Sequence, residues 1–294
     1  MNFKRLALIV FVLLALVVIA LVGYRVISGR SLNLMDKVSR VGNIIRSVLG
    51  HNAVIANNGQ YKNIIFIHHS VGHNLIEQGK LREQFQQLGY SFWDQDYMEI
   101  GLTGPDGKPT GYSYDIPGDN TDIDGYAAIF QQPIYGLPIN AFSAFLQHEV
   151  IIFKSCYPNS QIDDDVTLEL RKQEYLQIRR GIDQHQDKVF ILLTSPPLNP
   201  AETNPNSAKR ARILSNWLSS KEFLAGYSNL FVFDYFSYLA ENDPKSYEFD
   251  MLKKIFRDGI DSHPNKLANE QIAPILVEFL NTSVEQYQKE LIRN

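Results

Sequence analysis

The chain has 294 residues, 45% of them hydrophobic and 20% charged, with a net charge of −4. That length suits one sizeable α/β domain once a terminal segment is set aside. Charge of both signs is scattered without a basic stripe, which argues against nucleic acid as a ligand. Cys156 is the only cysteine, so an intrachain disulfide is excluded.

At the N-terminus, Met-Asn-Phe-Lys-Arg precedes Leu6–Gly23, an uncharged run close to the ~20 residues that cross a bilayer. It outlasts the roughly 7–15-residue apolar core of a secretory signal, and no small-x-small cleavage site follows. Residues 1–24 therefore read as an uncleaved signal anchor, a single-pass transmembrane helix with the domain outside the cytoplasm. Residues 25–60 read as a juxtamembrane stalk, because Leu34, Val38, Val41, Ile45 and Val48 alternate spacings of four and three in a helical stripe.

The first strand is Ile64-Ile-Phe-Ile-His-His-Ser70, apolar and β-branched, with Gly72 just beyond. Open α/β sheets bind ligands beyond the carboxyl ends of their strands, so Ser70 is a candidate nucleophile. The competing reading is a helix N-cap, a position serine favours. A helix should follow from Gly72 to Leu88, with Leu75, Ile76, Leu81, Phe85 and Leu88 near one face. His68, His69 and His73 invite a metal reading. Side chains alternate along a strand, however, so His68 and His69 should point to opposite faces, and no metal site is expected. His68 and His69, with Gly72, are expected to support the site instead.

The interval Gly101 to Gly125, rich in glycine and proline, reads as a loop rimming the site. Its end, Asn120-x-Asp122-x-Asp124-Gly125, partly copies a calcium loop. Position one lacks aspartate and position twelve is Gln131, so a polar turn is the reading. Further strands are expected at Val150–Phe153, Val189–Thr194 and Leu230–Phe233, separated by helical patterns at Val166–Ile182 and Ala208–Leu224. Such alternation predicts a parallel sheet covered on both faces. After the strand at 150, Lys154 snorkels or meets an anionic substrate. Cys156 packs in the core or acts as a thiolate nucleophile, and Asn159 donates to an oxyanion or only forms a turn.

Near the C-terminus stands Asp258-Gly-Ile-Asp261-Ser-His263-Pro264-Asn265, followed by a helix expected from Leu267 to Leu280 that contains Pro274. A histidine among acids suits a general base: His263 would take the proton of Ser70 while a carboxylate orients the imidazole. Asp261 needs fewer special dihedrals to reach the ring. Asp258, which would need Gly259 to fold the chain back, is the alternative.

At these places the chain resembles the SGNH, or GDSL-like, hydrolase superfamily, whose pattern has a serine after the first strand and Asp-x-x-His near the C-terminus. Glu149 to Ser160 stands where that superfamily carries its oxyanion asparagine, and Thr194-Ser-Pro-Pro-Leu198 looks like the end of its fourth strand. The resemblance covers roughly residues 61–282 and leaves 283–294 as a tail. The chain departs from the pattern at three places. His68-His69 replaces Gly-Asp, Lys154-Ser-Cys-Tyr-Pro-Asn159 replaces Gly-x-Asn-Asp, and Ile260 stands three residues before His263.

The resemblance implies a three-layer α/β/α, flavodoxin-like parallel sheet. It implies a membrane-anchored serine esterase that cleaves carboxylic esters, acyl groups on carbohydrate or lipid, through an acyl-enzyme. Ser70, His263 and Asp261 or Asp258 would be catalytic, Ser70 and Asn159 would form the oxyanion hole, and no dissociable cofactor would be needed. The alternatives are a noncatalytic glycan-binding domain with an inherited cleft, or a metal- or cysteine-dependent hydrolase.

Overall fold

Alternation along the strands divides the core in two. The computed structural model describes residues 34–55, 59–96, 101–114, 116 and 122–293. Helix α1 spans Leu34–Val54, and its later part belongs to the unit formed by Asn43–Asn294. In that unit, Arg46 Nη1 donates to Gly111 O at 2.7 Å, and His51 Nδ1 pairs with Gln147 Oε1 at 2.8 Å.

The strands are β1 (Asn63–His68), β2 (Ser91–Asp96), β3 (Gly101–Thr103), β4 (Val150–Lys154), β5 (Val189–Leu193) and β6 (Leu230–Phe233), in the sheet order β3-β2-β1-β4-β5-β6. β1 pairs in parallel with β2 on one side and β4 on the other, with Ile67 opposite Gln95 and Phe153. Ile65, Ile67, Ile151, Phe153, Phe190 and Leu192 face one core cluster. Ile64, Phe66, Val150, Ile152, Val189 and Ile191 face the other, as the period of two requires.

The first cluster is covered by α4 (Ile123–Phe130), α5 (Ala141–Phe145), α6 (Asp165–Asp183) and α7 (Pro205–Leu218), which supply Phe130, Phe142, Tyr175 and Leu214. A short helix, α8, follows at Lys221–Leu224. The second cluster is covered by α2 (Ser70–Gly79), α3 (Leu81–Gln87), α9 (Tyr235–Leu239) and α10 (Lys266–Arg293). An added Cβ at Gly79 would lie 2.5 Å from that of Ala273, so the glycine lets α2 and α10 touch closely.

Several expectations are corrected. The sheet is mixed rather than parallel throughout, because β3 runs antiparallel to β2. Among the described residues no helix is long and apolar enough to cross a membrane. The long helices α1 and α10 carry charges along their length and so lack a continuous apolar run. The run Leu6–Gly23 lies outside the described residues, and the single-pass, extracytoplasmic membrane reading is withdrawn. The helix after β1 breaks at Lys80, which adopts left-handed φ 54, giving α2 and α3. The terminal helix continues past Leu280, because Val284 and Tyr287 are buried and Tyr287 packs edge-on against Tyr61. Pro274 lies inside that helix without ending it.

Candidate active site

Leaving out the edge strand β3, the order 2-1-4-5-6 reverses direction at β1, which makes the carboxyl end of β1 a topological switch point. Ser70 lies there, as the first residue of α2. The N-cap is His69, in extended backbone with φ −115, so Ser70 does not cap the helix. Its hydroxyl turns to a distant part of the chain, with Oγ 2.7 Å from His263 Nε2. His263 Nδ1 lies 2.8 and 2.7 Å from the two Asp261 carboxylate oxygens. A carboxylate only accepts, so Nδ1 carries the hydrogen and Nε2 presents its lone pair to the Ser70 hydroxyl.

Partial burial raises the Asp261 carboxyl, but the hydrogen bond and charge of His263 outweigh it and hold the group below its ordinary range. Asp258 is turned away, its Oδ1 accepting from Asn265 Nδ2 at 3.3 Å. Of the two acids considered, the structure brings Asp261 to the imidazole. Tyr157 packs edge-on against the His263 ring with centroids 4.9 Å apart. Burial raises the Tyr157 hydroxyl, and Asp261 adds to the effect, so this wall stays uncharged at neutral pH.

Beneath Ser70 the strand end is buried and polar. His68 is wholly buried, with Nδ1 donating to His69 O at 3.0 Å and Nε2 3.0 Å from Asp94 Oδ2. Asp94 also pairs with Arg82, whose Nη1 donates to Phe92 O at 2.9 Å and Gly104 O at 2.8 Å. Burial pushes the Asp94 carboxyl up, yet the bonds and charges of His68 and Arg82 bring it below its ordinary value. Gly72 is where α2 crosses this strand end. A Cβ there would collide with His68 Cβ and lie 2.9 Å from its Cγ.

His69 is buried, and desolvation, then the nearby Lys154 and His68, lowers its pKa to about 3, so it is neutral. His73 lies on α2 with its ring 6.4 Å from that of His68. Among the described residues no group of three His, Cys, Asp or Glu side chains could hold a metal ion.

Of the residues after β4, Lys154 departs from its sequence reading. Lys154 does not snorkel: it is 1% exposed, donates from Nζ to Ser155 O at 3.1 Å, and is shifted down by burial. Cys156 is buried in the core beside β4. Asn159 is buried in the 3₁₀ turn Tyr157–Ser160, its N–H donating to Cys156 O at 3.1 Å. With Ser160, Tyr175, Thr194, Ser195 and Ser215 it lines a small cavity among the turn after β4, the loop after β5, α6 and α7. Asp122 is the N-cap of α4 without a side-chain capping bond, and Asp124 and Gly125 fall in the helix's first turn, with Asp124 Oδ1 accepting from Gly125 N at 2.8 Å, so this stretch is helical where a polar turn was expected. Asn120 lies outside the described residues.

Sequence reasoning missed Tyr157, Asp94 and Arg82. Asp94 carries no motif, and its partners become visible only once β1 and β2 pair.

No protein-family model matches the chain, and no curated protein matches it. Among solved structures it is similar to a “putative acylhydrolase” from Bacteroides fragilis, at 12% identity and a TM-score of 0.49, over 82% of this chain and 97% of that one. It is also similar to a GDSL-like lipase from Bacteroides thetaiotaomicron, at 8% identity and a TM-score of 0.48, over 82% of this chain and 98% of that one. These are likenesses of outline and decide nothing about substrate. The resemblance to GDSL-like hydrolases rests on the motifs that carry Ser70 and His263.

Proposed function

We propose that this protein is a serine hydrolase of carboxylic esters, acting on acyl groups carried by carbohydrate or lipid through an acyl-enzyme. One observation carries the reading. Ser70, His263 and Asp261 form a continuous hydrogen-bonded chain, although Ser70 and His263 stand 193 residues apart in sequence.

Each group has a role that its position supports. Ser70 Oγ attacks the ester carbonyl while His263 Nε2 accepts its proton, and Asp261 stabilises the resulting imidazolium and holds the tautomer. The tetrahedral oxyanion forms beside the first turn of α2. That turn has no side-chain cap, so its N–H groups, including that of Ser70, are available as donors. Asn159 is a second candidate donor. The imidazolium then protonates the leaving alcohol, and a water activated by His263 hydrolyses the acyl-enzyme and restores Ser70.

The test is turnover of acetylated sugars and of short- and long-chain esters by the purified protein and two variants. Ser70→Ala should abolish turnover, and Cys156→Ser should keep most of it. Full activity in Ser70→Ala would overturn the reading, and loss confined to Cys156→Ser would move the nucleophile to the thiol.

A further inference from the structure

The base-bearing turn has an unusual construction. Among the described residues, the stretch Gly259–His263 forms no main-chain to main-chain hydrogen bond, and the nearest one runs from Asn265 N to Phe256 O at 2.9 Å. Ile260 is 76% exposed and anchors nothing. A turn so poorly tied by its own backbone would leave His263 free to swing, yet its ring is held between Ser70 and Asp261.

The missing ties come from the loop after β5. Asn199 is 3% exposed, and its Nδ2 donates to both Asp261 O at 3.0 Å and Gly259 O at 3.1 Å. Its main-chain N–H donates to Ser262 Oγ at 2.8 Å, and that hydroxyl in turn donates to Glu202. Three bonds from one residue thus reach Gly259, Asp261 and Ser262. Asn199 is itself fixed: Ala201 N donates to its Oδ1 at 3.0 Å, and Glu202 N donates to its carbonyl at 2.8 Å. Leu252 N adds a bond to the neighbouring Leu198 O at 2.8 Å.

We propose that Asn199 is a positioning residue for the base. By gripping the carbonyls on either side of Ile260 it sets the turn that lets Asp261, two residues before His263, reach the imidazole. The inference rests on the serine-hydrolase reading. It explains how an acid can work at that spacing on an exposed loop. Asn199 touches no reacting atom and acts through Asp261 and His263. A misplacement of about 1 Å is enough to cost on the order of a hundredfold in rate, which sets the expected scale.

The experiment uses the full chain with p-nitrophenyl acetate, taking Ser70→Ala as the reference for lost function. Asn199→Ala and Asn199→Asp both remove the Nδ2 donor, while the aspartate keeps the acceptor for Ala201 N–H. Both should lower kcat by about a hundredfold with KM little changed. In an Asp261→Asn background, Asn199→Ala should cost almost nothing further, because both act on one imidazole; a merely structural role would instead add its full cost again. Crystal structures of wild type and Asn199→Ala should show the His263 ring displaced from Ser70 in the variant. If Asn199→Ala does not fold, Ser262→Ala cuts the same clamp more gently and should show a smaller kcat loss with the same non-additivity. Wild-type kcat in Asn199→Ala, or costs that simply add in the double variant, would overturn the proposal. Full turnover in Ser70→Ala would mark failure of the underlying reading, and the crystal structures would still report whether Asn199 places His263.

Discussion

Ser70 and His263 meet at 2.7 Å, but what stands behind each differs. Behind Ser70 lies the carboxyl end of β1, buried between two parallel neighbours, with His68, Asp94 and Arg82 paired beneath it and α2 pressed close through Gly72. Behind His263 lies an irregular turn, with Asp261 56% exposed at the side chain and the backbone held by the Asn199 side chain from another loop. The nucleophile's support is part of the fold, and disturbing it should cost stability. The support of the base can be cut with the fold intact, and should cost rate.

Asp261→Asn should lower kcat by up to about 10⁴-fold by disfavouring the working tautomer and the imidazolium, with little change in urea-unfolding midpoint. Asp258→Asn, which removes a carboxylate bonded only to Asn265 in this region, should turn over like wild type. Equal rates for the two would sever Asp261 from the chemistry.

On the other side, Asp94→Ala should destabilise the fold by about 3–5 kcal/mol, because it leaves the partly buried Arg82 guanidinium and the buried His68 ring without their partner. Urea titration reads the loss. The same region sets the pH response. The Asp94 carboxyl is held below 3.8 when folded, so its contribution is present above that value and disappears as pH falls through the folded pKa. His69 is lowered from 6.5 to about 3, so unfolding takes up a proton between those values. Stability should therefore be full above pH 6.5 and decline toward pH 3. A flat profile over that window would contradict the buried, neutral state of His69.

Two glycines give the sharpest small contrast. Gly72→Ala forces a methyl into His68 and should cost about 1–3 kcal/mol by overpacking. Gly259→Ala meets nothing within 4 Å but must hold φ +72, and should cost only about 1–2 kcal/mol of local strain. The first should lower the melting temperature more than the rate, and the second should lower the rate more than the melting temperature.

The same contrast governs what could be read from the sequence. Ser70 and His263 were legible because each sits at a punctuated place, one ending a β-branched run and the other in a cluster of acids before a helix. The carboxyl end of β1 was legible as a site for the same reason. β2 was not. Ser91-Phe-Trp-Asp-Gln-Asp buries Asp94, Gln95 and Asp96, so its alternation is masked by polar residues that only tertiary partners satisfy. Gln95, for instance, accepts from Tyr114 N at 3.0 Å, 19 residues away. Lys80 breaks the helix after β1 in a left-handed conformation without the glycine that usually signals it. Asn199 had no local signal at all, since its meaning lies in carbonyls 60 and 62 residues away. Lys154 invited the snorkelling rule, but the strand end it occupies is covered, and the rule failed.

If Ser70 is a nucleophile activated by His263, labelling of the full chain with a fluorophosphonate, followed by peptide mass spectrometry, should read it directly in wild type and in His263→Ala. An adduct on Ser70 is expected in wild type, with near-complete loss of labelling in the histidine variant. An adduct on Cys156, or Ser70 labelling that survives undiminished without His263, would contradict it.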